Sequence, residues 1–229
     1  MVREFETEPM PFQINCLRNS RIECAPSPQG SLAYFGKANV RFASGDLSGA
    51  LADYGKIIAQ KQNEADYARF YRNLILRQVG KVGDDDLAKQ VSGWKESWKK
   101  EIGLFLVGQL PADEFIRSAA AQNNAWTKRD HLCEANYFVG MTELIAGHTA
   151  TARQKLSDSV KTGASEFVQF MLAKAALAQL SVYVVQPGDS GVVIAEKSGV
   201  SLLKLSELNR DVDWLKLSPG QKIQLPLDD

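Results

Sequence analysis

Between Ser31 and Ser181 the chain contains a single proline, Pro111, and this constrains the fold more than any other feature of the sequence. Proline in a helix interior costs about 3 kcal/mol. A long proline-poor stretch rich in Ala, Leu, Lys, Glu and Gln is therefore suited to helices. The character changes near residue 182. Beyond it come Pro187, Pro219 and Pro226, with the β-branched pairs Val184–Val185 and Val192–Val193. The 229 residues divide on this reading into a loose leader (1–30), a helical domain (31–181) and a small mixed domain (182–229). No Gly/Ser linker separates the last two, so they are expected to touch.

An apolar fraction of 45% and a charged fraction of 24% are globular values and exclude wholesale disorder. The 27 basic and 27 acidic residues balance, so nothing electrostatic points to nucleic acid as a partner. No apolar run approaches the ~18–20 residues of a membrane span. In the leader, Glu4, Glu6, Glu8, Pro9 and Pro11 interrupt any apolar core of a secretory signal. Two locations follow: the cell envelope, with an export signal outside this sequence, or the cytoplasm. Cys16 and Cys24 are compatible with a small disulfide loop or with two reduced thiols. Cys133 falls inside a helical pattern, where a thiol is buried and inert.

The helical part repeats itself. Aligning Gly45 with Gly147 places Ala38 on Gly140, Phe42 on Leu144, Ala50 on Ala152 and Tyr54 on Leu156. Small residues at 38 and 50 suit two helices that cross closely. Gly45 suits the left-handed end of a helix, and Asp46 the start of the next. The offset is about three times 34 residues, the period of tetratricopeptide repeats, which these two segments resemble. Between them, helices are expected over Tyr67–Val79, from Asp84–Asp86, over Trp94–Val107 and from Pro111. A last helix over Glu166–Leu180 would cap the array, giving about nine helices in degenerate hairpins. The inner helices of such an array face a groove, which makes Phe35, Asn39, Tyr137 and Met141 candidates for binding a protein or peptide.

Nothing in the sequence points to catalysis. There is no nucleophile–base–orienter set and no phosphate loop. Asp84–Asp86 lacks the ligand spacing of a calcium loop and suits a helix start. His131 and His148 have no metal-type neighbours at usable spacing, and His148 is expected to face solvent. Neither a metal nor a cofactor is expected.

The last segment has the order strand, helix, helix, strand. A strand over Tyr183–Gln186 leads to the turn Pro187–Gly188–Asp189–Ser190. Asp189 or Ser190 can cap a helix whose Val193, Ile194 and Ala195 face inwards. Gly199 stops that helix. Ser201 caps a second, with Leu202, Leu205 and Leu208 spaced three apart and Asn209 at its end. Pro219–Gly220–Gln221 then turns the chain into a strand over Lys222–Leu225.

These pieces, in this order from Tyr183 to Pro226, resemble a LysM domain. The expected fold is thus mostly α: a tetratricopeptide-like α-hairpin solenoid followed by a small βααβ LysM domain. The resemblance implies binding of glycans containing N-acetylglucosamine, peptidoglycan among them, in a shallow groove between two loops. Carried over, these are Gly188, Asp189, Ser190, Gly191 and Val192, facing Asn209, Arg210, Asp211 and Val212. The family's first loop usually continues with leucine and tryptophan, where this chain has Gly191 and Val192. Gly191 is therefore expected to leave the groove wall short of a side chain, and Gly191→Leu to tighten sugar binding. The leading functional expectation is a non-enzymatic adaptor joining wall glycan to a protein. The alternatives are a cytoplasmic scaffold whose LysM unit binds no glycan, and an accessory subunit of a wall hydrolase or synthase.

Overall fold

The computed structural model describes residues 28–61, 64–81 and 85–226. Most of the leader, with Cys16 and Cys24, lies outside them, as does Asp84. The helical part runs α1 (Pro28–Ala43), α2 (Leu47–Ala59), α3 (Ala65–Gln78), α4 (Asp85–Gly93), α5 (Trp98–Leu106), α6 (Ala112–Ala120), α7 (Ala125–Ile145), α8 (Thr149–Lys161) and α9 (Val168–Gln179). Then follow β1 (Val182–Val184), α10 (Gly191–Ser198), α11 (Leu202–Leu208) and β2 (Lys222–Gln224).

Local chemistry accounts for the helix ends. Gly45 and Gly147 adopt φ of 83° and 84°, the left-handed geometry expected of both hairpin turns. Asp46 caps α2 by accepting from the Gly49 N–H at 2.9 Å. Pro111 precedes α6, and Asn124 caps α7 through the N–H groups of Trp126 and Thr127. Several expected boundaries move. α1 starts at Pro28, since proline fits a first helical turn. α5 starts at Trp98 rather than Trp94, because Ser97 is extended and caps it through the Lys100 N–H. α9 starts at Val168, two residues later than expected, with Phe167 extended before it.

The repeat extends to three helices. α2 and α8 match end to end at the offset of Gly45 and Gly147, and α3 and α9 follow them at nearly the same spacing. The two units close on each other reciprocally: α1 packs on α9, and α7 packs on α3. Exchanging the units maps one contact onto the other, as in a two-fold pairing. In a linear solenoid each repeat touches only its neighbours. Here α9 covers the last hairpin, α7–α8, as expected, but also meets α1; it buries Leu172 and Leu177, and Gln179 donates to the Ala43 carbonyl at 2.6 Å. Aromatic rings fill the α3–α7 seam: Tyr71 lies 6.0 Å from Phe138 and 6.2 Å from Tyr137, and Phe70 lies 5.8 Å from Phe138. At the α7–α8 crossing a Cβ on Gly140 would approach Leu156 Cγ to 2.9 Å, which is why a small residue is needed there.

This closure changes the status of the expected groove residues. Phe35, Asn39, Tyr137 and Met141 are all buried, Tyr137 completely, and Asn39 accepts from the Tyr54 hydroxyl at 2.6 Å. They pack between helices and present no binding surface.

The C-terminal part has its own core of Val185, Ile194, Ala195, Val200, Leu205, Ile223 and Leu225. Its strands pair antiparallel, with Tyr183 opposite Ile223. Each is shorter than expected, though Val185 and Leu225 extend the pairing through bonds to Gln221 and Ser181. Of the three α11 leucines spaced three apart, only Leu205 is buried; Leu202 and Leu208 are exposed. Steps of three residues drift about 60° on a helix of 3.6 residues per turn, so the outer two rotate off the core. The unit docks on α8. Arg153, itself buried, donates to the carbonyls of Leu180 (2.6 Å) and Pro226, tying both ends of the unit down.

Candidate functional site

The loop entering α10 is built around Asp189. Its carboxylate accepts from the Tyr183 hydroxyl at 2.8 Å, the Gln186 N–H at 2.7 Å and the Lys197 ammonium at 2.7 Å. The side chain is only 2% exposed. Gly188 supports this turn with φ of 84°. Ser190, not Asp189, caps α10, accepting from the Val193 N–H. Asp189 therefore shapes the loop and keeps no oxygen facing outwards for a ligand. The Lys197 ammonium, then the Gln186 and Tyr183 donors, hold its pKa down at about 2.

This has a consequence in acid. A carboxylate whose pKa is depressed on folding contributes stability above its unfolded value of ~4, and that stability is lost as the pH falls through ~2. The C-terminal unit should weaken over this interval, followed by amide exchange of its α10 residues. Asp189→Asn should lower its stability at pH 7 and remove that part of the acid dependence. Equal slopes in the two proteins between pH 4 and 2 would refute the role given to Asp189.

The second loop is held by Asn209. Its amide donates to the Leu205 and Gln224 carbonyls, both at 2.8 Å, and accepts from the Gln224 N–H at 2.9 Å. Asn209 is buried and joins α11 to β2. Arg210 and Asp211 are exposed, and Val212 is half-buried against the small core. Of the nine residues expected to line a groove, Asp189 and Asn209 thus have inward-turned side chains. Ser190, Val192, Arg210 and Asp211 are exposed.

Gly191 differs from expectation in a more telling way. It is buried, and a Cβ there would come within 2.9 Å of Trp214 Cε3 and 3.5 Å of Leu202 Cδ1. The space left by the missing side chain is filled by an indole from the far loop. Trp214 brings the two loops together, and the sequence reading did not single it out. The available signal was a lone tryptophan in the second loop, between Asp213 and an exposed Leu215.

No helix among the described residues is long and apolar enough to cross a membrane. In the helical part His148 is exposed and lies 2.7 Å from Glu143, whereas His131 stacks on Trp98 with ring centroids 4.0 Å apart.

The family model of the LysM domain matches residues 183–226. A curated relative, the teichoic acids export ATP-binding protein TagH of Lactococcus lactis subsp. lactis (strain IL1403), is 44% identical over 46 residues. That alignment covers 20% of this chain and 10% of the relative, so the chain spans about a tenth of the relative's length. No solved structure matches the chain.

Proposed function

Residues 183–226 are a LysM domain, and from that premise we propose that the protein is a non-enzymatic cell-wall adaptor. The LysM unit binds N-acetylglucosamine-containing glycan, peptidoglycan above all, and the helical domain engages a protein. The family match carries this reading, because LysM is a binding module and not a catalytic one. The glycan groove lies between residues 188–192 and 209–212. With Asp189 and Asn209 turned inwards, its polar contacts come from main-chain groups and from Ser190 and Arg210. The relative named for teichoic acid export supports a place at the cell envelope.

A single shallow site should bind weakly, with a dissociation constant in the high-micromolar to millimolar range, roughly 4–6 kcal/mol. Retention at the wall then needs several copies or the second contact that a bound protein supplies. The full chain should sediment with purified peptidoglycan and be released by soluble N-acetylglucosamine oligomers. If the protein stays in the supernatant at all peptidoglycan loadings, glycan binding is wrong, and the intracellular scaffold becomes the better reading.

A further inference from the structure

We propose that Trp214 is the sugar-stacking platform of the glycan site, admitted by the missing side chain at Gly191. This rests on the glycan-binding reading and adds the residue that carries its affinity. The first observation is steric. A Cβ at position 191 would meet the six-membered ring of the indole at 2.9 Å, closer than side chains pack. Glycine at 191 and tryptophan at 214 are thus one device: the absent side chain makes the seat, and the indole takes it.

The second observation is what the indole leaves open. Trp214 packs on the small core yet is only partly buried. Its Nε1–H donates to no group among the described residues, although most other polar side chains around the two loops are engaged. Around it lie Leu202, which shares the contact with Gly191, and the adjoining Val192 and Leu215, all exposed; Leu215 is 96% exposed. An aromatic surface with a free N–H at its edge and aliphatic neighbours suits one kind of ligand. A pyranose offers an apolar C–H face for the ring, and its N-acetyl group offers a carbonyl for the N–H and a methyl for the aliphatic side chains. The surface therefore suits a neutral N-acetylated sugar, the class already proposed for the glycan site.

The structure reverses the sequence expectation for Gly191→Leu. A leucine there cannot coexist with the indole in its present place, so it should weaken binding and not tighten it. The test is titration of the ¹⁵N-labelled full chain with the N-acetylglucosamine tetramer, following the four tryptophan indole signals, with Trp214→Phe identifying that of Trp214. The Trp214 indole N–H should shift on titration. Trp214→Ala should weaken binding at least tenfold, Trp214→Phe by less than about fivefold, and Gly191→Leu at least threefold. If the wild type binds the tetramer while Trp214→Ala binds equally well, or if Gly191→Leu tightens binding, the platform is refuted and the glycan reading stands. If the wild type binds neither tetramer nor peptidoglycan, both fall. Should Trp214→Ala lose its dispersed amide spectrum, the wild-type titration decides: binding without movement of the Trp214 indole signal overturns the proposal.

Discussion

Glu134→Gln is expected to make the helical domain more stable than the wild type at pH 8 and nearly equal to it at pH 4. Glu134 lies on α7, is 2% exposed, and accepts from the Tyr67 hydroxyl and the Trp98 indole N–H, both at 2.7 Å. Burial pushes its pKa up from 4.5 to about 7, with Asp130 adding to the rise and the two donors opposing it. The native protein therefore holds a proton that the unfolded chain releases. Below pH ~4.5 both states are protonated and the stability is complete. As the pH rises from there to ~7 it falls, by on the order of 3 kcal/mol, and above 7 it levels off. Glutamine carries no charge at any pH. Its carbonyl can accept from Trp98, and its amide can donate to the Tyr67 oxygen, so neither partner is orphaned. Urea unfolding from pH 4 to 8 should show the wild type declining more steeply than the variant. Parallel curves would show that Glu134 keeps an ordinary pKa despite its burial.

The second large effect is expected at the junction of the two parts. Arg153→Ala should loosen the LysM unit from the helical domain while leaving both cores folded. Arg153 is 5% exposed, and its guanidinium serves the Leu180 and Pro226 carbonyls, at the entry and exit of the LysM unit. Hydrogen bonds from a charged donor contribute about 1.5–3 kcal/mol each, so the docking should weaken by roughly 3–5 kcal/mol. Gly199 is the other side of this contact. Its φ is 63°, and a Cβ would lie 2.8 Å from Ala150 on α8. The wild type should unfold in one transition by calorimetry. Arg153→Ala should show two, with faster amide exchange around Gly199 and Val200. A single transition at the wild-type midpoint would mean that the guanidinium does not hold the parts together.

Much of this architecture was legible in the residues because its causes are local. The proline-poor stretch specified helices. Gly45, Gly147 and Gly199 marked left-handed chain reversals, Ser201 capped α11 as expected, and Ser190 proved to be the α10 cap of the two residues that could serve. Each of these effects acts within about four residues, a range over which sequence and geometry map directly onto each other. The strand–helix–helix–strand order was legible for the same reason.

What tertiary structure alone decided lies at long range. Tyr67 and Trp98 meet Glu134 from 67 and 36 residues away. The two three-helix units could have stacked in line, leaving a groove; complementary rings at Phe70, Tyr71, Tyr137 and Phe138 instead drew α3 onto α7 and put the expected groove residues in the core. Trp214 reached Gly191 because an empty position on one loop matched a flat ring on another. Local residue chemistry specified which segments are helices, where they turn, and that residues 183–226 make a LysM unit. Which faces meet, which polar groups lose water and which side chain fills the site were decided by packing. Those choices depend on shape complementarity between segments, and no local pattern encodes that.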